Sequence, residues 1–383
     1  MSEPEALAST GSVQPLSCSF FLTVQLSSSE VMENITTTAF PFIDITQLDE
    51  TPVSTTSYYD EDPGLHIVDY FALVFYSLAF LLGTTGNGLV IWFTIFKMKK
   101  TVNVIWFLNL AIADFAFTLF LPLSIIYLAN NFNWLFGNFM CKLNSMVAFI
   151  NLYASVFLLT AISIDRCASV IFPVWCQNHR TPRLALLVVM AVWLLAFVLS
   201  LPYFLLRDTF QDHDFIFCYN NFELGATKDI GISRHKATVI LRFFVGFIIP
   251  FSIIVTCYSV IALRIQRNHM TTSSKPFKVI MAVIITFFLC WLPYHIFSFL
   301  ELHSSYRKDG YLSKEVRVGT PLTTSLAFMN SCVNPFLYVF IGRDFKNRFG
   351  KSMPYIFEKA FNEESVHKDL KSKTKSTSES QIL

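Results

Sequence analysis

The sequence predicts an all-α membrane protein, a bundle of seven transmembrane helices with a short amphipathic eighth helix. Three observations carry that expectation. Seven stretches, residues 70–96, 102–128, 143–164, 184–206, 243–263, 279–300 and 318–342, contain no Lys, Arg or Glu. Each is long enough to cross a bilayer core of about 30 Å, which needs about 20 residues of helix. Only helices or closed barrels satisfy their backbones in lipid, and these runs are far too long for barrel strands. Composition agrees: of 383 residues 53% are hydrophobic, 15% are charged and 41 are Phe, more apolar surface than a soluble domain of this size needs.

The formal net charge of +2 averages two unlike sides. Lys97, Lys99 and Lys100 follow the first span, Arg180 and Arg183 precede the fourth, Arg264, Arg267, Lys275 and Lys278 flank the loop before the sixth, and Arg343, Lys346 and Arg348 follow the seventh. The positive-inside rule assigns those loops to the cytoplasm. Asp60, Glu61, Asp62, Asp212 and Asp214 fall on the other side, so the expected topology is a multi-pass plasma-membrane protein with its N-terminus outside and its C-terminus in the cytoplasm. Residues 1–66 are Ser/Thr-rich and acidic, as in a disordered tail, with a glycosylation sequon at Asn34. They lack the basic start and apolar core of a signal peptide, so the first span is expected to act as an uncleaved anchor. Residues 67–342 form the seven-span domain, 343–351 the amphipathic helix and 352–383 a cytoplasmic tail. No nucleic-acid partner is expected.

Within the spans, polar groups are costly in lipid and mark function by default. The first span carries Asn87, and the second carries Asp114, the one carboxylate well inside any of them. In the third, Asn151 and Ser155 are four residues apart and share a face. The seventh adds Asn330, Ser331 and Asn334. Together these can hold a small cation, expected to be sodium, against Asp114; the alternative is a polar network around a protonated Asp114. The third span ends in Asp165-Arg166, where the Arg can pair with its neighbour or reach into an opening bundle. The fifth, sixth and seventh spans contain Pro250, Pro293 and Pro335. Each removes a hydrogen bond and kinks its helix, a natural hinge. Phe287, Trp291 and His295 recur every four residues around the kink in the sixth span, as in an aromatic piston, although such a stripe alone is more often packing.

The eight cysteines sort by depth: Cys257, Cys290 and Cys332 lie in spans, and Cys167 and Cys176 face the reducing side. Of the three left outside, Cys141 opens the third span and Cys218 sits in the loop after the fourth, so these two can pair in an oxidising compartment. Cys18 is then left over: free, paired between chains, or in a stretch absent from a product that starts at Met32.

Gly86-Asn87, Leu110-Ala111-Ile112-Ala113-Asp114, Asp165-Arg166-Cys167, Trp193, Pro250 with Tyr258, Phe287 to Tyr294 (including Cys290-Trp291-Leu292-Pro293), and Asn334-Pro335-Phe336-Leu337-Tyr338 stand one per span, in order. That constellation resembles the rhodopsin-like G-protein-coupled receptors over about residues 65–350. The run 170–181, ending Asn178-His179-Arg180-Thr181, is similar to the second intracellular loop of chemoattractant receptors. Lys97 to Asn103, Ile105 to Leu110 and Glu301-Leu302-His303 look most like the chemerin (chemokine-like) branch, with formyl-peptide receptors the nearest rival. Two departures stand out. Cys167 replaces the family's usual Tyr, as in other chemoattractant receptors, and no lipid-accepting cysteine follows Cys332, which leaves the eighth helix to anchor through Phe345, Phe349 and its basic residues.

The resemblance implies a receptor that performs no chemistry and needs no cofactor beyond an allosteric sodium ion. An extracellular chemerin-like peptide or protein would enter among Arg242, Trp291, Tyr294, His295 and Glu301, with Arg242 meeting an acidic ligand group rather than snorkelling at the interface. Trp291 would shift, Pro250, Phe287 and Pro293 would relay the change, and Asp165, Arg166, Tyr258, Asn334, Pro335 and Tyr338 would rearrange to admit a heterotrimeric G protein of the inhibitory class. Tyr58 and Tyr59 beside Asp60 resemble sulfated tyrosines that attract a basic ligand. Receptor kinases acting on Ser372, Thr374, Ser376, Thr377, Ser378 and Ser380 would recruit arrestin. Other readings are a formyl-peptide or lipid-mediator receptor or a non-signalling decoy. A transporter would show internal repeats and a light sensor a Lys in the seventh span, and neither is present.

Overall fold

Loop chemistry sets where each helix begins. In a computed structural model that describes residues 67–267, 274–307 and 310–341, Thr101 caps α2 (Val102–Ala129) by accepting from the Val104 N–H, and Thr181 caps α5 (Pro182–Leu205) by accepting from the Leu184 N–H. Each such cap satisfies an otherwise orphaned donor and contributes about 1 kcal/mol. Pro182, and Pro173 at the start of the short loop helix α4 (Pro173–His179), stand at first-turn positions, where a missing N–H costs nothing. The remaining helices are α1 (Ile67–Phe96), α3 (Gly137–Ile171), α6 (Lys228–Phe243), α7 (Ile249–Arg267), α8 (Ser274–Arg307) and α9 (Gly310–Ile341). A π-helical segment, Phe244–Ile248, joins α6 to α7, and an antiparallel hairpin of β1 (Arg207–Asp212) and β2 (Phe215–Asn220) follows α5.

Among the described residues, six rods are long and apolar enough to cross a membrane: Ile67–Phe96, Val102–Ala129, Gly137–Ile171, Pro182–Leu205, Lys228–Arg264 and Ile280–Ser304. The seventh, α9, is 32 residues long, and Thr, Ser and Asn residues on its buried side lower its hydropathy. The central helix α3 packs on α2, α5 and α7, while α9 packs on α8 and α1. Large side chains such as Leu187, Met190 and Leu194 of α5 point outward, the pattern of a bundle solvated by lipid. At Gly86 of α1 an added Cβ would sit 3.0 Å from Pro335, so glycine allows α1 and α9 to meet there.

The fifth rod differs from the expected 243–263. It is helical from Lys228, because His235, Lys236 and Arg242 turn into the protein, where lipid hydropathy does not govern them. Pro250 explains the π segment: the ring cannot accept the α-helical approach of the Gly246 carbonyl, and one wider turn relieves the clash. Asn34, Tyr58, Tyr59, Cys18, the expected eighth helix at 343–351 and the tail sites Ser372, Thr374, Ser376, Thr377, Ser378 and Ser380 lie outside the described residues. Tyr338 falls in α9, but its side chain is not among those described.

Candidate functional site

Disulfide Cys141–Cys218 ties β2 to the start of α3, with the Cα atoms 5.8 Å apart. Trp134, buried in the loop before α3, packs on both cysteines, donates from Nε1 to the Gly137 carbonyl at 2.8 Å and receives β2 through its own N–H on the Ile216 carbonyl at 2.7 Å. Asp208 of β1 accepts from Asn138 at 2.5 Å, from its neighbour Thr209 N–H at 2.9 Å and from Asn221 at 3.3 Å. Burial pushes this carboxyl up, yet Thr209, Asn221, Asn138 and the nearby Lys142 ammonium together hold it below the usual carboxylate range. The hairpin is thus fastened to the start of α3 by a bond, a ring and a carboxylate, and further by Lys142 on the Arg207 carbonyl and Asn138 on the Thr209 hydroxyl. Trp134 was not singled out from the sequence, although an indole three residues before a helical glycine is a readable loop-anchoring signal.

Below the hairpin, Arg242 in the last turn of α6 is 1 % exposed, inside the bundle and away from lipid. Its guanidinium carbon lies 5.5 Å from the Phe149 ring of α3 and 5.0 Å from the Tyr294 ring of α8. Phe149 in turn stacks on Tyr203 of α5 at 3.4 Å. Ring faces attract a desolvated cation by about 2 kcal/mol. Nε and Nη2 have no hydrogen-bond partner among the described residues, a cost of about 1–3 kcal/mol per buried donor that an incoming acceptor would remove. Glu301, seven residues along α8 from Tyr294 and so on the same face, lies within electrostatic range. Trp291 packs 5.5 Å from Tyr294, 6.0 Å from Phe287 and 6.5 Å from His295, which touches Phe247 of the π segment at 4.9 Å. Of the five residues expected in a pocket, Arg242 is set against Tyr294 with Glu301 in electrostatic range, and Trp291 packs on Tyr294 and His295. A cavity beside Arg242, the one of these five that lines it, is bounded by Phe149, Tyr203, Asn220, His235 and Thr238 and measures about 10 Å³, room for one water.

At mid-bundle, Asp114 is fully buried. Its Oδ1 accepts from Asn151 Nδ2 at 2.9 Å and its Oδ2 from Asn334 Nδ2 at 2.7 Å. Ser331 donates to Asn151 Oδ1 at 3.2 Å, and Asn87 donates to the Ser331 carbonyl at 2.8 Å. Ser155 Oγ and Asn330 Oδ1 are buried with no hydrogen-bond partner among the described residues. A carboxylate with hydroxyl and amide oxygens is the donor set a hard cation takes, so the residues fit sodium. Each carboxylate oxygen accepts one amide and keeps a further lone pair that a cation could use.

At the opposite end, the expected Asp165–Arg166 pair is only loosely made, at 3.9 Å. Asp165 is instead held by Arg180, whose Nε and Nη2 reach Oδ1 and Oδ2 at 2.8 and 2.9 Å. Arg166 donates to Asn103 Oδ1 at the start of α2, an oxygen that Arg180 Nη2 also shares at 2.6 Å. Tyr258 of α7 is buried within electrostatic range of Arg166. Trp193 Nε1 donates to Asn109 at 3.1 Å and joins α5 to α2.

Residues 86–338 match the family described as 7 transmembrane receptor (rhodopsin family). The chain is 50% identical over 292 residues to chemerin-like receptor 1 of Rattus norvegicus, covering 73% of this chain and 77% of the relative. The human chemerin-like receptor 1 is 49% identical over 287 residues, 72% and 76% of the two chains. Human chemerin-like receptor 2 is 42% identical over 327 residues, 85% and 91%. A receptor rather than an enzyme is what the seven-helix architecture and these relatives have in common, and this chain belongs to the rhodopsin family of seven-transmembrane receptors.

Proposed function

We propose that this receptor binds an extracellular chemerin-like peptide or protein and signals through an inhibitory-class G protein. The observation that carries the reading is Arg242: a permanently charged fork, buried between ring faces beneath the hairpin, with donors left over for a ligand carboxylate. A peptide C-terminus supplies that group. The names of the relatives point to the same ligand class. The hairpin end faces outside and the Arg166 end faces the cytoplasm of a plasma-membrane receptor, in agreement with the basic loops beside the latter. Agonist entry parts the helices around Trp291, the proline hinges of the fifth to seventh spans carry the change, and Arg166, Tyr258 and Tyr338 rearrange to admit the G protein. The output is a population shift, limited by how much better the ligand binds the active state. Sodium on Asp114, sulfation at Tyr58 and Tyr59, and kinase-dependent arrestin recruitment through Ser372 to Ser380 modulate that equilibrium.

The direct test expresses the chain in cells and applies a chemerin C-terminal peptide, formyl peptides and anaphylatoxin peptides, with cyclic AMP as readout. A fall in cyclic AMP with the chemerin peptide alone supports the reading. Response to formyl peptides only would move the receptor to that branch, and binding without any cyclic AMP, calcium or arrestin response would make it a decoy.

A further inference from the structure

Arg166 is not the closest cation to Asp165. The carboxylate's two oxygens are taken by Arg180 at 2.8 and 2.9 Å, a two-pronged match of planar guanidinium to planar carboxylate, while Arg166 stands 3.9 Å away. Asn103 is divided as well: its single side-chain oxygen accepts from both guanidinium groups. Arg180 caps the loop helix α4, and its side chain and that of Asp165 are 21% and 12% exposed, so the pair is partly withdrawn from water. Arg166 and Arg180 thus compete for the same two acceptors, and Arg180 has the better geometry at the carboxylate.

We propose that Arg180 is a positioning residue for Arg166: by occupying Asp165 and part of Asn103, it keeps Arg166 from closing onto its neighbouring carboxylate and lowers the cost of turning Arg166 toward a G protein. The functional half rests on the signalling reading above; the competition itself does not. Without Arg180, the carboxylate and the Asn103 oxygen both fall to Arg166, and the receptor is held more firmly in its closed state.

Two measurements separate the halves. In purified receptor reconstituted in nanodiscs, thermal unfolding of Asp165→Asn, Arg166→Gln and Arg180→Gln, alone and combined, gives the pairwise couplings without any G protein. Asp165 should couple to Arg180, be close to additive with Arg166 while Arg180 is present, and couple to Arg166 once Arg180→Gln is made. Additivity between Asp165 and Arg180, or an Asp165–Arg166 coupling indifferent to Arg180→Gln, overturns the proposal. In the second arm, Arg180→Gln should lower agonist-free nucleotide exchange on a purified inhibitory-class heterotrimer about threefold, or ~0.7 kcal/mol at 1.4 kcal/mol per tenfold. Arg180→Lys, a charge without the fork, should lie between, and Asp165→Asn should erase the Arg180→Gln deficit. Exchange unchanged or raised by Arg180→Gln overturns the proposal. A wild type that drives exchange on no heterotrimer sinks the signalling reading instead, and the coupling pattern then still decides where Arg180 acts.

Discussion

Phe149 and Tyr294 hold Arg242 between ring faces, with Glu301 in electrostatic range, and its Nε and Nη2 stay available for hydrogen bonding. Losing a desolvated pairing of this kind typically costs about 2–5 kcal/mol. Arg242→Ala should therefore weaken a C-terminal agonist peptide at least about tenfold, and amidating the peptide should cost the wild type much and the mutant little. Competition binding with the four combinations measures this, and independent, additive losses would mean that Arg242 does not meet the carboxylate. Arg242 was visible in the sequence as a charge about two turns before Pro250. Its cradle was not, because the Phe149–Tyr203 stack joins α3 to α5 and leaves no mark on either helix's local pattern. Arg180 was hidden for a different reason: adjacent Arg166 is the obvious partner by sequence, and only the turn of the chain after α4 brings a residue 15 positions away into better alignment.

Among the elements, the fifth rod departs most from a plain helix. A π turn holds one residue more than an α turn and leaves the flanking segments oriented as if that residue were absent. Deleting exposed Phe244 should therefore let Phe244–Ile248 revert to α-helix with Arg242 still facing Tyr294, and agonist binding should survive. Deleting exposed Val255 has no wide turn to absorb it and should rotate one side of the rod by about 100° relative to the other, abolishing binding. Radioligand binding on surface-expressed receptor checks both, and equal loss in the two would rule out the π segment as the register buffer. Pro250 announced a break in this helix, but neither the π turn nor the start at Lys228 could be read from apolar runs, since both depend on which neighbours the polar residues face.

For the whole molecule, hydropathy and a few motif residues were enough to give seven spans and their order, because lipid enforces helices of one length. What they could not give is the state of the polar network. Asp114 accepts one amide on each oxygen, from α3 and α9, and a sodium ion that takes the remaining lone pairs in one member of the ensemble alone would favour that member. Raising sodium should lower agonist affinity, and Asp114→Asn should remove that sensitivity; affinity indifferent to sodium in the wild type would leave a plain polar network. The clasp on Asp208 governs a later stage of the receptor's life. A carboxyl held below its usual range stabilises the folded form above the unfolded value of about 3.9 and loses that contribution only as pH falls through its still lower folded value. A receptor carried into a vesicle acidified to about pH 5 stays above that window. Amide exchange over Arg207–Asp212, corrected for intrinsic rate, should then match its value at neutral pH, and loosening at mild acidity would contradict the assignment. If the hairpin stays latched, release of a bound ligand in that vesicle would have to come from titration of the ligand or of the bundle beneath, and a ligand would travel back to the surface still bound only where neither changes charge.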